Sequence, residues 1–114
     1  MTDREMLELA AKAAGVVLDG EWSDTDRMSV SAGGWWNPLT DDGDALRLAV
    51  KLNLHVEIDA ESAGCITIEW DFDEGGSARR AVVEQAPEGG DDFAATRRAI
   101  VRAAAAIQQA KERT

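Results

Sequence analysis

Apolar positions recur along this chain at two spacings, and the spacings alternate in blocks. Met6, Leu9, Ala10 and Ala13 follow one another at i, i+3, i+4 and i+7, the signature of a single buried helical face. Thr2 and Glu5 precede them at capping-box spacing, and Gly15 supplies a left-handed stop. The spacing therefore predicts a first helix from about Asp3 to Ala14. "VVLDGEW" and "RMSVSA" are short, carry β-branched residues and flank a polar stretch, so they predict a hairpin ended by Gly33-Gly34. In "LHVEID", Leu54, Val56 and Ile58 alternate with His55, Glu57 and Asp59. In "CITIEWDF", Ile66, Ile68, Trp70 and Phe72 alternate with Cys65, Thr67, Glu69 and Asp71. "RRAVVEQA" is a weaker third run. "AESAG" and "DEGGS" are the turns between these runs, so the three predict an antiparallel meander with one wet face. After "APEGGDD", with Asp91 or Asp92 as cap, Phe93, Ile100, Ala103, Ala104, Ile107 and Ala110 mark a long last helix.

The segment before the meander is the least ordinary, "WWNPLTDDGDALRLAVKL" from Trp35 to Leu52. Pro38 forces Asn37 into extended geometry. Thr40 or Asp41 can cap a helix, and Asp41, Asp42 and Asp44 then meet the positive end of its dipole. Leu39 can fold back as a staple. Ala45, Leu48, Ala49 and Leu52 form the stripe, widened by Leu46 and Val50, and Asn53 can end the helix in the left-handed region. A calcium loop would need alternating oxygen ligands and a distal Glu, which this segment lacks. Trp35 and Trp36 are consecutive, so in an extended segment they point to opposite sides, one inward and one available for contact.

The order of elements predicts an α+β domain, residues 1–114, in which three helices cover a meander. Composition agrees: 45% hydrophobic and 30% charged residues in 114 suit one globular domain with a real core. No apolar run approaches the ~20 residues of a membrane span. The acidic start, Asp3 and Glu5, is unlike a secretory signal, so a cytoplasmic protein is expected.

Candidate chemistry is sparse. Cys65 and His55 are each the sole residue of their type, so no intrachain disulfide forms, and a tetrahedral zinc site would need carboxylates or a second chain. His55 reads as an ordinary surface histidine. "DFDEGG" (Asp71, Asp73, Glu74) reads as a solvated turn rather than a cation site. There is no phosphate-binding loop, dinucleotide fingerprint or nucleophile elbow. No enzyme activity, cofactor or metal is therefore expected.

Charge is more informative. The net charge is −10, and residues 52–78 hold seven acids and no Lys or Arg. Such a chain repels phosphate backbones. Arg97, Arg98, Arg102, Lys111 and Arg113 gather in the last helix, and the order helix, meander, helix matches the bare topology of a double-stranded-RNA-binding domain. A nucleic-acid reading through that helix, or imitation of nucleic acid by the acidic middle, is the alternative to protein binding. The candidate protein-binding residues are Trp35, Trp36, Glu57, Asp59, Glu69 and Asp71.

"WNPLTDDGDALRLAVKL" (Trp36 to Leu52), "DREMLELAAKAAG" (Asp3 to Gly15) and "ATRRAIVRAAAAI" (Ala95 to Ile107) resemble the phage ABA sandwich domain family of small bacteriophage and prophage proteins. The resemblance implies an alpha-beta-alpha layered sandwich encoded by a phage or prophage, at work in the cytoplasm of an infected or lysogenic bacterium. It carries over no established activity and no catalytic residues. Together these readings lead to a non-enzymatic accessory protein that binds a host or phage protein, a basic one being the natural match for its acidic surface, with room for a homo-oligomer and no role at a membrane.

Overall fold

The structure, a computed structural model, describes residues 2–22, 28–30, 34–59, 65–71, 79–85 and 92–113. Their order is α1 (Asp3–Ala14), β1 (Leu18–Trp22), β2 (Met28–Val30), β3 (Trp35–Trp36), α2 (Asp42–Lys51), β4 (His55–Asp59), β5 (Cys65–Asp71), β6 (Arg79–Gln85) and α3 (Asp92–Glu112). The chain is of the α+β class; among the described residues there are three helices and an antiparallel meander β4-β5-β6. The expected turns at 60–64 and 72–78, Phe72 on the apolar face, Gly33, and Asp91 as a cap lie outside the described residues. Among the described residues no helix is long and apolar enough to cross a membrane.

Both ends of α1 follow from the residues named for them. The Thr2 hydroxyl oxygen accepts from the Glu5 N–H at 3.1 Å. At the other end Gly15 adopts φ 73°, and the N–H groups of Gly15 and Val16 return to the carbonyls of Lys12 and Ala11. That pair of bonds satisfies two terminal carbonyls of the helix. α2 ends the same way. Asn53 takes φ 54°, its N–H bonds Val50, and the Leu54 N–H bonds Ala49 at 2.9 Å. Val16 and Leu54, the residues just past each stop, pack on the core.

The buried faces differ from the expected stripes in a consistent way. α1 buries Met6, Leu7, Ala10, Ala11 and Ala14, while Leu9 is only half-buried, as is Ala13. α2 buries Ala45, Leu48 and Ala49, but Leu46 and Val50 are exposed. α3 buries Ala95, Ala99, Ile100, Val101, Ala103, Ala104 and Ala105, whereas Phe93 and Ala110 are exposed and Ile107 is half-buried. The cause is the position of α3. It touches α1, α2, β5 and β6, so it buries more than one side and its small residues admit close neighbours. α1 and α2 then turn their apolar stripes toward α3.

In the meander Ile66 and Ile68 are fully buried, with Val56 and Trp70 packed at their edges. Ile58, expected on the same face, is exposed: β4 is an edge strand, and α3 lies on β5 and β6. His55, Glu57 and Asp59 stay exposed, as expected of the wet face. The helical cover that the apolar face requires is found on the Ile66 and Ile68 side.

The predicted hairpin is present as β1 and β2, with an irregular register between Leu18 and Trp22. It does not stop at the double glycine. Gly34, at φ 88°, turns the chain, and Trp35–Trp36 adds a third antiparallel strand, with Ser29 opposite Trp35 and Met28 opposite Trp36.

Candidate functional site

The acidic segment before α2 is fully engaged in building that helix. Asp41 is the N-cap, and its Oδ2 accepts from the Asp44 N–H at 2.8 Å. Asp44, the third residue of the helix, is buried. Its Oδ2 accepts from the Asn37 N–H at 3.0 Å, and its Oδ1 takes Arg47 at 2.8 Å. Asn37 is buried beside Pro38 and holds the approach to the helix. Its Oδ1 accepts from the Leu39 N–H, and its carbonyl accepts from the N–H groups of Thr40 and Asp41. Asp42 is met from across the molecule by Arg97 of α3. That guanidinium donates to the Asp42 carboxylate at 2.6 Å and to the Leu39 carbonyl at 2.8 Å. Hydrogen bonding to Asp44, with its charge and that of Asp41, raises the pKa of the solvent-facing Arg47 guanidinium, which stays cationic throughout. Each acid thus has a structural partner, as the capping reading required.

The two tryptophans part company as consecutive residues of a strand must. Trp36 is 8% exposed and belongs to the core; Trp35 is 54% exposed. Trp35 stands on the wall of an open cleft of about 630 Å³. Its apolar lining comes from the end of α1 and the strands, with Val16, Val17 and Val30 beside Trp35. Its other wall is α2, which contributes Leu48, Arg47 and Lys51. Val17 is itself exposed, so it and Trp35 offer water two large apolar surfaces in one concavity. Concave, mainly apolar clefts with a few polar groups are the usual shape of binding sites.

The sequence named Trp35 and Trp36, both of which line this cleft, and did not point to its other walls. Val17 carried a usable signal: it is an apolar residue just past the Gly15 stop, outside the α1 stripe. Arg47 and Lys51 carried none, because the fold alone brings α2 beside the end of α1.

The four candidate acids do not form one tight patch. Register sets His55 opposite Glu69, Glu57 opposite Thr67 and Asp59 opposite Cys65. The acids of β4 and β5 are therefore staggered rather than directly face to face. Glu57 and Asp59 are exposed and Glu69 is half-buried. The backbone of Asp71 pairs with Arg79 of β6, and its side chain lies outside the described residues. The same register brings His55 into the group: one ligand atom from each of His55, Glu57 and Glu69 lies within 4.8 Å of the others. Taken singly, none of the three pointed to such a set. The signal was His55 and Glu57 two apart on a strand, with a third donor across from them.

The basic residues of α3 are partly turned inward. The Arg97 side chain is only 16% exposed, and Arg98 reaches Asp3 at the start of α1 at 3.2 Å. Lys12 meets Glu112 at 3.7 Å. Charges far apart in sequence are neighbours in space, and two of the five bases draw helix N-termini onto α3.

These features define a small α+β domain whose most site-like surface is an open aromatic cleft. Comparison with protein-family models, with curated proteins and with solved structures finds no match.

Proposed function

We propose that this chain is a phage- or prophage-encoded accessory protein that acts, without catalysis, by binding another protein through the Trp35 cleft. The observation that carries the reading is Trp35 itself, half exposed beside Val16, Val17 and Val30 in a cleft whose second wall bears Arg47 and Lys51. A rigid aromatic next to an apolar hollow is the kind of anchor that dominates protein interfaces. The matching partner is a host or phage protein offering an apolar side chain to the hollow and an acidic group to Lys51. The phage origin rests on the resemblance carried by Trp36 to Leu52, Asp3 to Gly15 and Ala95 to Ile107. This reading leaves Glu57, Asp59, Glu69 and Asp71 out of the contact, a narrower surface than the one expected from sequence.

Affinity capture from a bacterial host lysate tests this, with wild type and Trp35→Ala compared side by side. The expected result is a protein retained by wild type and lost with Trp35→Ala, while Glu57→Lys retains it. Capture that survives Trp35→Ala, or small-molecule turnover that disappears when one carboxylate is replaced, overturns it. Nucleic-acid binding through Arg98 and Arg102 is the competing outcome; it shows as retardation of duplex RNA or DNA that fades steeply with salt.

A further inference from the structure

We propose that the wet face of the meander carries a binding site for a divalent first-row transition metal such as zinc, with His55, Glu57 and Glu69 as its protein ligands. Antiparallel pairing makes the arrangement. His55 and Glu57 are two apart on β4 and point to one side, and Glu69 of β5 is directly opposite His55. The strands therefore root three donor-bearing side chains on one face, at adjacent positions of the ladder. One ligand atom from each already lies within 4.8 Å of the other two. Tetrahedral zinc, with bonds of roughly 2.0–2.2 Å, wants donor atoms about 3.4 Å apart. His55 and Glu57 are exposed, so rotation about their side-chain bonds is the movement that closing this gap requires.

The donor set selects the ion. One imidazole nitrogen and two carboxylate oxygens suit zinc and its neighbours, whereas calcium takes six to eight oxygens. Charge favours a cation as well. Glu57 and Glu69 are diagonal neighbours and Asp59 lies further along the same face, so a divalent ion there meets negative charge. With three protein ligands, a fourth position stays open to water. The site is separate from the Trp35 cleft and does not depend on the protein-binding reading.

The chain's single histidine makes the test clean. Untagged full-length protein is titrated with zinc chloride by calorimetry while the one set of imidazole proton resonances is followed by NMR. One zinc per chain should bind and shift or broaden those resonances. His55→Ala and Glu69→Gln should each weaken zinc binding by at least about 10-fold, with circular dichroism unchanged, and Cys65→Ser should leave it intact. Calcium should leave the imidazole resonances where they were. Zinc that leaves the resonances unmoved, or an affinity unchanged in either ligand variant, overturns the site. So does an affinity that falls with Cys65→Ser.

Discussion

Replacing Asp44 by Ala removes the acceptor of the buried Asn37 N–H, the best-defined single bond in the approach to α2. A buried donor left without a partner costs about 1–3 kcal/mol. Removing a negative charge from the first turn costs a further ~0.3–1 kcal/mol. The Arg47 contact adds little, because that guanidinium faces solvent and water replaces the lost partner. The sum is roughly 1.3–4 kcal/mol. At about 4 °C per kcal/mol for a domain of this size, calorimetry should show Tm lower by roughly 5–16 °C. Urea melts should show a lower midpoint with an unchanged slope. Asp44→Asn separates the two contributions. Its amide oxygen still accepts from Asn37, so the loss should shrink to about 1 kcal/mol. Asp44→Ala melting within ~2 °C of wild type, or Asn proving as costly as Ala, would refute the assignment of the loss to the orphaned Asn37 N–H.

Other substitutions test the same architecture. Arg97→Ala, which removes a largely covered side chain with a part-buried bond to Leu39 and an exposed one to Asp42, should cost about 2 kcal/mol. Arg98→Ala, which breaks the exposed pair with Asp3, should cost under ~1 kcal/mol; equal losses in urea melts would contradict the distinction. Leu48→Ala should destabilise by ~2–5 kcal/mol and Leu46→Ala by at most ~0.5 kcal/mol, and the reverse order would mean that the stripe of α2 is misplaced. Millimolar calcium should not raise Tm through Asp41, because the oxygens of Asp41, Asp42 and Asp44 accept internal donors. A calcium shift that vanishes in Asp41→Ala would return these acids to a ligand role.

Local chemistry was legible in the residues, and neighbourhood was not. Thr2, Asp41, Gly15 and Asn53 act where they do because caps and left-handed stops depend on a few adjacent atoms. Alternation in "LHVEID" and "CITIEWDF" named the apolar face of the meander for the same reason. Leu46, Val50, Ile58 and Phe93 were read as inward and are exposed. Periodicity tells which residues share a side, but only the packing of α3 decides how wide the buried sector is. The central helix was the hardest to read, since alanines at Ala95, Ala99 and Ala105 are buried without looking more apolar than Ala110.

The candidate sites divide along the same line. That one tryptophan faces out follows from strand alternation, but that Trp35 is the one follows from how β3 pairs with β2. The cleft joins residues from the end of α1, the first sheet and α2, a proximity that no local spacing encodes. Likewise the charge blocks at 52–78 and 97–113 suggested segregated surfaces. In space, Arg97 and Arg98 are spent on Asp42 and Asp3, and much of that polarity holds the helices together.

The central claim is that Trp36 builds the fold while Trp35 serves a partner. The most direct measurement is the affinity of the captured partner, once purified, for wild type and Trp35→Ala by calorimetry, with Tm recorded for both. An aromatic anchor at an interface centre contributes at least ~2 kcal/mol. The account predicts binding weaker by roughly 30-fold, with Tm within a few degrees of wild type. Unchanged affinity, or a loss of binding that only tracks a loss of folding, would contradict it.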